Sequence, residues 1–241
     1  MPAAPTHLLL DFFGTVVEYA ASGTARDYER THDLTVQLGS TRTYDETRAL
    51  WSAAFDRLEG ETAHSLEEFS AVEVARLALE ALVGRAPTAG EAQAAAVTYD
   101  EDWNRGIHYP AGVLAVLEEL SDEFTLAIVS NTHSVDLVQS HLRAMGAARY
   151  VEVVVTSIDV GRRKPHPEIF ERALDRLGVS AAGALFVGDT LSADFLGPER
   201  CGIRAYLIDP LGIQPVPADR RLRSLHGLAS RLREQDLLPG D

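Results

Sequence analysis

A handful of polar residues in this 241-residue chain stand where chemistry is feasible. Asp11 follows the apolar run Leu8 to Leu10 and precedes Phe12, Phe13, Gly14 and Thr15. Ser130 and Asn131 close the run LAIV. Asp189 follows ALFVG, and Asp194 lies one turn further on. Lys164 sits in the loop GRRKPHP, stiffened by Pro165 and Pro167. Two or three carboxylates meeting in one crevice repel one another unless a cation lies between them, and hard oxygen donors favour magnesium. With one lysine, such an ion can neutralise a phosphoryl group, while a strand-end hydroxyl and backbone N–H groups hold its oxygens. Asp11 is then free to act as a nucleophile, forming an acyl-phosphate that water later cleaves. A simpler reading of Asp11 stays open on its own stretch, because Asp before Gly-Thr is ordinary turn chemistry.

For these residues to meet, the elements before them must be strands of one parallel sheet. Short apolar runs bounded by Gly turns read as buried strands. They are expected at Leu8–Leu10, Phe124–Val129, Val151–Val155, Ala184–Val187 and Arg204–Ile208. Helices are expected between them, at Ala111–Leu120, Ser134–Met145, Pro167–Leu177 and Ser192–Cys201, with Pro at starts and Gly at ends. Strict alternation predicts an α/β fold: a Rossmann-like parallel sheet core flanked by helices, with right-handed crossovers. In such sheets ligands bind beyond the carboxyl ends of the strands, where Asp11, Ser130 and Asp189 fall.

Residues 18–105 break the alternation. They read as four helices, Thr24–Leu38, Tyr44–Leu58, Leu66–Val83 and Thr88–Trp103, separated at Gly39-Ser40, at Gly60 and at Gly84–Pro87. An all-helical block placed straight after a strand implies an inserted cap domain over 18–105 and a core formed by 1–17 and 106–241. Its aromatic residues read as core, and His32 and His64 as solvated. The tail, Arg220 to Leu238, reads as a terminal amphipathic helix.

The formal net charge of −14 disfavours nucleic acid or an anionic membrane as partner. No stretch approaches the roughly 20 apolar residues of a membrane span. An N-terminus without a basic segment, and a single cysteine, Cys201, point to a cytoplasmic protein with a structural thiol. Only one of the 22 basic Lys and Arg residues is a lysine, and it is Lys164.

The four stretches DFFGT, LAIVSNT, RRKPHPEIF and VGDTLSAD together resemble, in order, the motifs of the haloacid dehalogenase superfamily. The helical insert is similar to that family's C1-type cap. The resemblance implies a magnesium-dependent phosphatase acting on a small phosphate monoester, such as a sugar phosphate or a phosphorylated natural-product intermediate. It implies that Asp11 is nucleophile and metal ligand, that Phe13 gives its backbone carbonyl to the metal, and that Asp189 binds magnesium. Ser130 would hold a phosphate oxygen with backbone N–H groups near Asn131, and Lys164 would pair with the phosphoryl group and Asp11. Asp194 would orient Lys164 or a metal-bound water, with Thr15 in support. Oligomeric state is not legible.

One position departs from the family's phosphatases. The residue two after the nucleophile, there a second Asp that protonates the leaving oxygen, is here Phe13. General acid–base help is worth about 10²–10⁴-fold, and positioning carries most of phosphoryl transfer without it. His133 and His166 are the nearby candidates to replace the missing acid. An aromatic at this position also resembles the metal-independent 2-haloacid dehalogenases, although their fourth motif reads Ser-Asn where this chain has Gly188-Asp189. A non-catalytic phosphate-binding protein is the third reading.

Overall fold

The structure is a computed structural model that describes residues 4–19, 28–235 and 237. The chain opens with β1 (His7–Leu10) and the short β2 (Glu18–Tyr19), followed by helices α1 (Glu29–Gln37), α2 (Tyr44–Thr62), α3 (Ala71–Val83) and α4 (Ala89–Asn104), then the short β3 (Ile107–His108). From there strands and helices alternate: α5 (Val113–Glu123), β4 (Thr125–Ser130), α6 (Leu137–Ala144), β5 (Val151–Thr156), α7 (Ser157–Val160), α8 (Pro167–Leu177) and β6 (Ala184–Gly188). A π-helical turn (Leu191–Leu196) leads into α9 (Gly197–Arg200), β7 (Arg204–Ile208), β8 (Arg221–Leu222) and α10 (Leu228–Glu234). By contact density the chain divides into an α/β unit, built from the segment up to Glu18 and from His108 onward, and a helical unit, Tyr19–Ile107.

In the α/β unit six strands form one sheet in the order β5-β4-β1-β6-β7-β8, and every neighbouring pair is parallel. The strands are apolar because both faces of a parallel sheet are covered. Leu8, Leu9 and Leu10 are fully buried, as are Ala127, Ile128, Val129 and Phe186. β1 lies at the centre, with His7 in register with Thr125 on one side and Ala184 on the other. The later strands run outward from β1 in both directions, so the switch in strand order falls beside it. That is where open α/β sheets leave a crevice.

Helix α8 shows how local sequence and packing agree. Pro167 opens it, Gly178 closes it with a φ of 64°, and Ile169, Phe170 and Ala173 are buried against the sheet. Burying each of the two larger side chains is worth about 1.5–3 kcal/mol. Phe170 meets Phe186 edge to face at 5.5 Å.

In the helical unit, α2, α3 and α4 each begin with a complete capping box: Thr43 with Glu46, Ser70 with Glu73 and Thr88 with Glu91. In each, the hydroxyl accepts from the backbone three residues on and the glutamate accepts from the cap's own N–H. Their apolar faces, including Trp51, Val74, Ala78, Leu79, Leu82 and Ala95, share one core with Phe69, which precedes α3. Asp102 is fully buried. Its carboxylate accepts from the Thr31 N–H at 2.9 Å and the Thr31 hydroxyl at 2.8 Å, tying α4 to α1.

Several boundaries differ from expectation. α2 does not break at Gly60 but continues to Thr62, because one glycine costs a helix only about 1 kcal/mol. α3 starts at Ala71, not Leu66: Ser70 caps it, and Leu66 takes a φ of 53° outside it. The first four residues of the helix expected from Thr24 lie outside the described residues, and from Tyr28 onward α1 is as given above. α5 and α6 begin two and three residues later than expected, at Val113 and Leu137, after Gly112 and Asp136 in left-handed conformations. The helix expected at Ser192–Cys201 is a π-helical turn followed by one short α-helical turn. The tail is not a single helix, since Arg221 and Leu222 pair with β7 before α10 forms. His32, expected to be solvated, hydrogen-bonds the Thr47 hydroxyl at 3.0 Å.

Candidate active site

The parallel register delivers the expected residues to one edge of the sheet. Asp11 directly follows β1, Ser130 ends β4, and Asp189 directly follows β6. Lys164 comes from the loop before α8. Its ammonium donates to Asp11 Oδ1 at 2.7 Å, to Asp194 Oδ1 at 2.7 Å and to the Val129 carbonyl at 2.8 Å. All three of its protons therefore have acceptors. Lys164 is 4% exposed, Asp11 5% and Asp194 1%, so this is a buried ionic cluster. Removing one member of such a cluster costs about 3–5 kcal/mol, because an uncompensated charge stays buried.

Second contacts hold each member. Asn131 brackets the Lys164 peptide: its Oδ1 accepts from the Lys164 N–H at 2.7 Å and its Nδ2 donates to the Lys164 carbonyl at 3.1 Å. The Asn131 side chain thus aims the lysine, leaving its backbone for the anion-binding part expected of it. Asp194 is fixed by the Thr190 N–H, which donates to its Oδ2 at 2.9 Å. Asp194 lies in the π-helical turn, and such turns recur at functional sites. The Ser130 hydroxyl is fully buried and donates to the Asn131 carbonyl at 3.3 Å. The Thr15 hydroxyl is buried without a hydrogen-bond partner.

Two glycines allow the close approach. A Cβ on Gly14, which has a φ of 93°, would lie 2.2 Å from Asp189 Oδ2. A Cβ on Gly188 would lie 2.4 Å from the Asp194 Cβ. One carboxylate oxygen each from Asp11, Asp189 and Asp194 lies within 4.8 Å of the others. Burial pushes the Asp11 carboxyl up to about 7; the charges of Asp194 and Asp189 add to the rise and Lys164 opposes it. Burial also raises Asp189, helped by Asp194 and opposed by Lys164. Burial pulls the Lys164 ammonium down, but the facing charges of Asp11 and Asp194 outweigh it and hold it above the ordinary lysine value. A pocket whose carboxylates are driven toward protonation, with a glycine cradle against one of them, suits a hard divalent cation.

Phe13 is partly exposed. Its ring meets Phe12 edge to face at 5.0 Å and His141 at 6.3 Å, with the rings at 90°. His141 is buried, which lowers its basicity, and it pairs through Nδ1 with the Tyr109 hydroxyl at 3.0 Å. The histidine beside Phe13 is therefore His141, which sequence reasoning missed in favour of His133 and His166. His166 instead caps α8, its Nδ1 accepting from the Glu168 N–H at 3.3 Å. No motif marks His141; it lies mid-helix on α6, and only the packing of that helix brings it to Phe13.

Residues 45–208 match the haloacid dehalogenase-like hydrolase family, and the chain belongs to it. The DFFGT stretch lies outside that match. A ribulose-1,5-bisphosphate 5-phosphatase of Halopiger xanaduensis is 28% identical over 210 residues, covering 85% of each chain. Another curated relative is more identical, at 38%, but only 39% of its length is spanned. Among solved structures, a 2-haloacid dehalogenase from Pseudomonas syringae pv. Tomato DC3000 is similar with a TM-score of 0.71 at 25% identity, covering 96% of this chain and 99% of that one. A HAD phosphatase from Thermococcus onnurineus has a TM-score of 0.64, also at 25% identity, covering 94% and 97%. Among the described residues no helix is long and apolar enough to cross a membrane.

Proposed function

We propose that the chain is a magnesium-dependent phosphatase that hydrolyses a small phosphate monoester through an aspartyl-phosphate on Asp11. The observation that carries this reading is the acidic cluster of Asp11, Asp189 and Asp194 around one buried lysine. Asp11, Asp189 and the backbone carbonyl of Phe13 would hold the ion, which would supply positive charge against the phosphoryl oxygens. An Asp11 carboxylate oxygen attacks phosphorus, and the bond to the leaving oxygen breaks. Lys164 and backbone N–H groups near Ser130 and Asn131 hold the charge that builds on the transferred group. Water then attacks the acyl-phosphate, releasing phosphate and restoring Asp11. Asp194 and Asn131 keep Lys164 in place for both steps, with Thr15 in support. In this reading the helical unit serves as a C1-type cap over a small-molecule substrate. The phosphatase names among the similar proteins support it.

A second reading, a metal-independent 2-haloacid dehalogenase, is favoured by the aromatic at Phe13 and by the similar dehalogenase structure. Phosphate release from p-nitrophenyl phosphate and from a panel of sugar phosphates, with magnesium and with chelator, separates the two. Turnover is expected only with magnesium, and Asp11→Asn is expected to lower it by about 10⁴-fold or more, as loss of a nucleophile does. Halide release from 2-chloropropionate in chelator would overturn the phosphatase reading.

A further inference from the structure

β4 and β5 run parallel to their ends, where Ser130 lies opposite Thr156. Beyond that pair the backbone ladder stops, and the peptides that follow need other hydrogen-bond partners. For Thr132 one hydroxyl supplies both. Ser157, the first residue of α7, accepts from the Thr132 N–H at 2.9 Å and donates to the Thr132 carbonyl at 3.2 Å, both through Oγ. A serine hydroxyl can do the two at once. Ser157 is fully buried and Thr132 is buried with it.

A second bracket lies beside the first. The Asn131 side chain holds the N–H and the carbonyl of Lys164 in the same two-handed way. Ser157 and Lys164 belong to one arm of the chain. α7 closes at Gly161, whose φ of 80° turns the backbone and whose N–H donates to the Ser157 carbonyl at 2.7 Å. Lys164 follows three residues on. Residues 131–132 are thus fastened both to the root of that arm and to its tip, by four hydrogen bonds.

We infer that Ser157 is a positioning residue for phosphoryl transfer at Asp11, a role that rests on the phosphatase reading. Together with Asn131 it locks the turn after β4 to the arm that carries Lys164. The backbone donors of that turn and the lysine ammonium, the protein's two sources of positive charge for the phosphoryl oxygens, then keep a fixed spacing. Ser157 touches no reacting atom and acts through Thr132. Donors aimed at developing charge are effective because they are already in place when the charge forms, and a displacement of about 1 Å can cost 10²-fold in rate.

Ser157→Ala in the full chain tests this, with magnesium, p-nitrophenyl phosphate as substrate and orthovanadate as the transition-state mimic. kcat should fall by about 10–10²-fold while KM stays within about threefold, the mark of an interaction felt mainly in the transition state. Inhibition by orthovanadate should weaken by a similar factor. Leu232→Ala, a core truncation outside the site, should lose stability yet keep native kcat well below its melting temperature. Ser157→Cys keeps the size of serine with a weaker donor and acceptor, and its kcat should fall between alanine and native. Asn131→Ala should also slow turnover, and the double variant should be no slower than the slower single one, because either break frees the turn from the arm. Native kcat and orthovanadate affinity in Ser157→Ala, or fully additive losses in the double variant, would overturn the assignment while leaving the phosphatase reading intact. A native chain without magnesium-dependent turnover would overturn that reading and this role with it. Should Ser157→Ala fail to fold, Ser157→Cys decides, and native kcat there sinks the assignment.

Discussion

Phe13 is the residue on which the chemistry turns. It stands two positions after the proposed nucleophile, touching His141 and Phe12, and it can neither give nor take a proton. Without an acid at this position, the rate should depend strongly on how well the leaving group departs unprotonated. Phe13→Asp is expected to raise kcat by about 10²–10⁴-fold on an alkyl phosphate such as glycerol 3-phosphate. On p-nitrophenyl phosphate, whose phenolate leaves unaided, it should change kcat little. Equal effects on both substrates would contradict this account. Gly188 marks a second limit at this scale. Gly188→Ala places a methyl group 2.4 Å from the Asp194 Cβ, and should cost about 1–3 kcal/mol in urea unfolding together with most of the turnover. Asp11 and Lys164 were legible in the sequence because one follows a strand and the other stands beside a proline, where spacing carries meaning; Asp194 was legible by its place one turn beyond Asp189. His141 and Tyr109 were not, since only tertiary packing makes them neighbours.

At the scale of elements, agreement follows the strength of the local signal. α8 and β7 were read to the residue: a proline opens the first and a glycine closes it, and the second is a short β-rich run. The start of α3 was missed although Ser70-x-x-Glu73 is a complete capping signature, because apolar residues upstream extended the helical pattern. β8 was missed because two residues carry no periodicity; its pairing comes from the β7 edge. The capping boxes also predict behaviour in acid. Glu91 is held low, at about 2 rather than 4.5, by Arg85 and then by the Thr88 backbone. A carboxyl lowered in the folded state stabilises it above the unfolded value, and that contribution fades as pH falls from 4.5 toward 2. Arg85→Ala, which removes the largest cause, should lower the melting temperature near neutral pH, and the gap between mutant and parent should narrow across that acid interval.

At the scale of the whole chain, the sheet and its outer helices form one cooperative structure that includes the last elements. Leu228 and Leu232 of α10 are fully buried, and Leu222 of β8 is 3% exposed. Leu232→Ala should therefore lower stability by about 2–5 kcal/mol in chemical denaturation, whereas a solvated terminal helix would lose almost nothing. The order β5-β4-β1-β6-β7-β8 has a further consequence for how the molecule comes into being. β1 is synthesised before either of its sheet partners yet lies inside the finished sheet, and both flanking strands are encoded far downstream, in register from Thr125 and from Ala184. Synthesis must pass beyond both before that greasy ribbon finds shelter on each side. Distant pairings of this kind slow folding and leave the unpaired strand exposed to aggregation in the meantime.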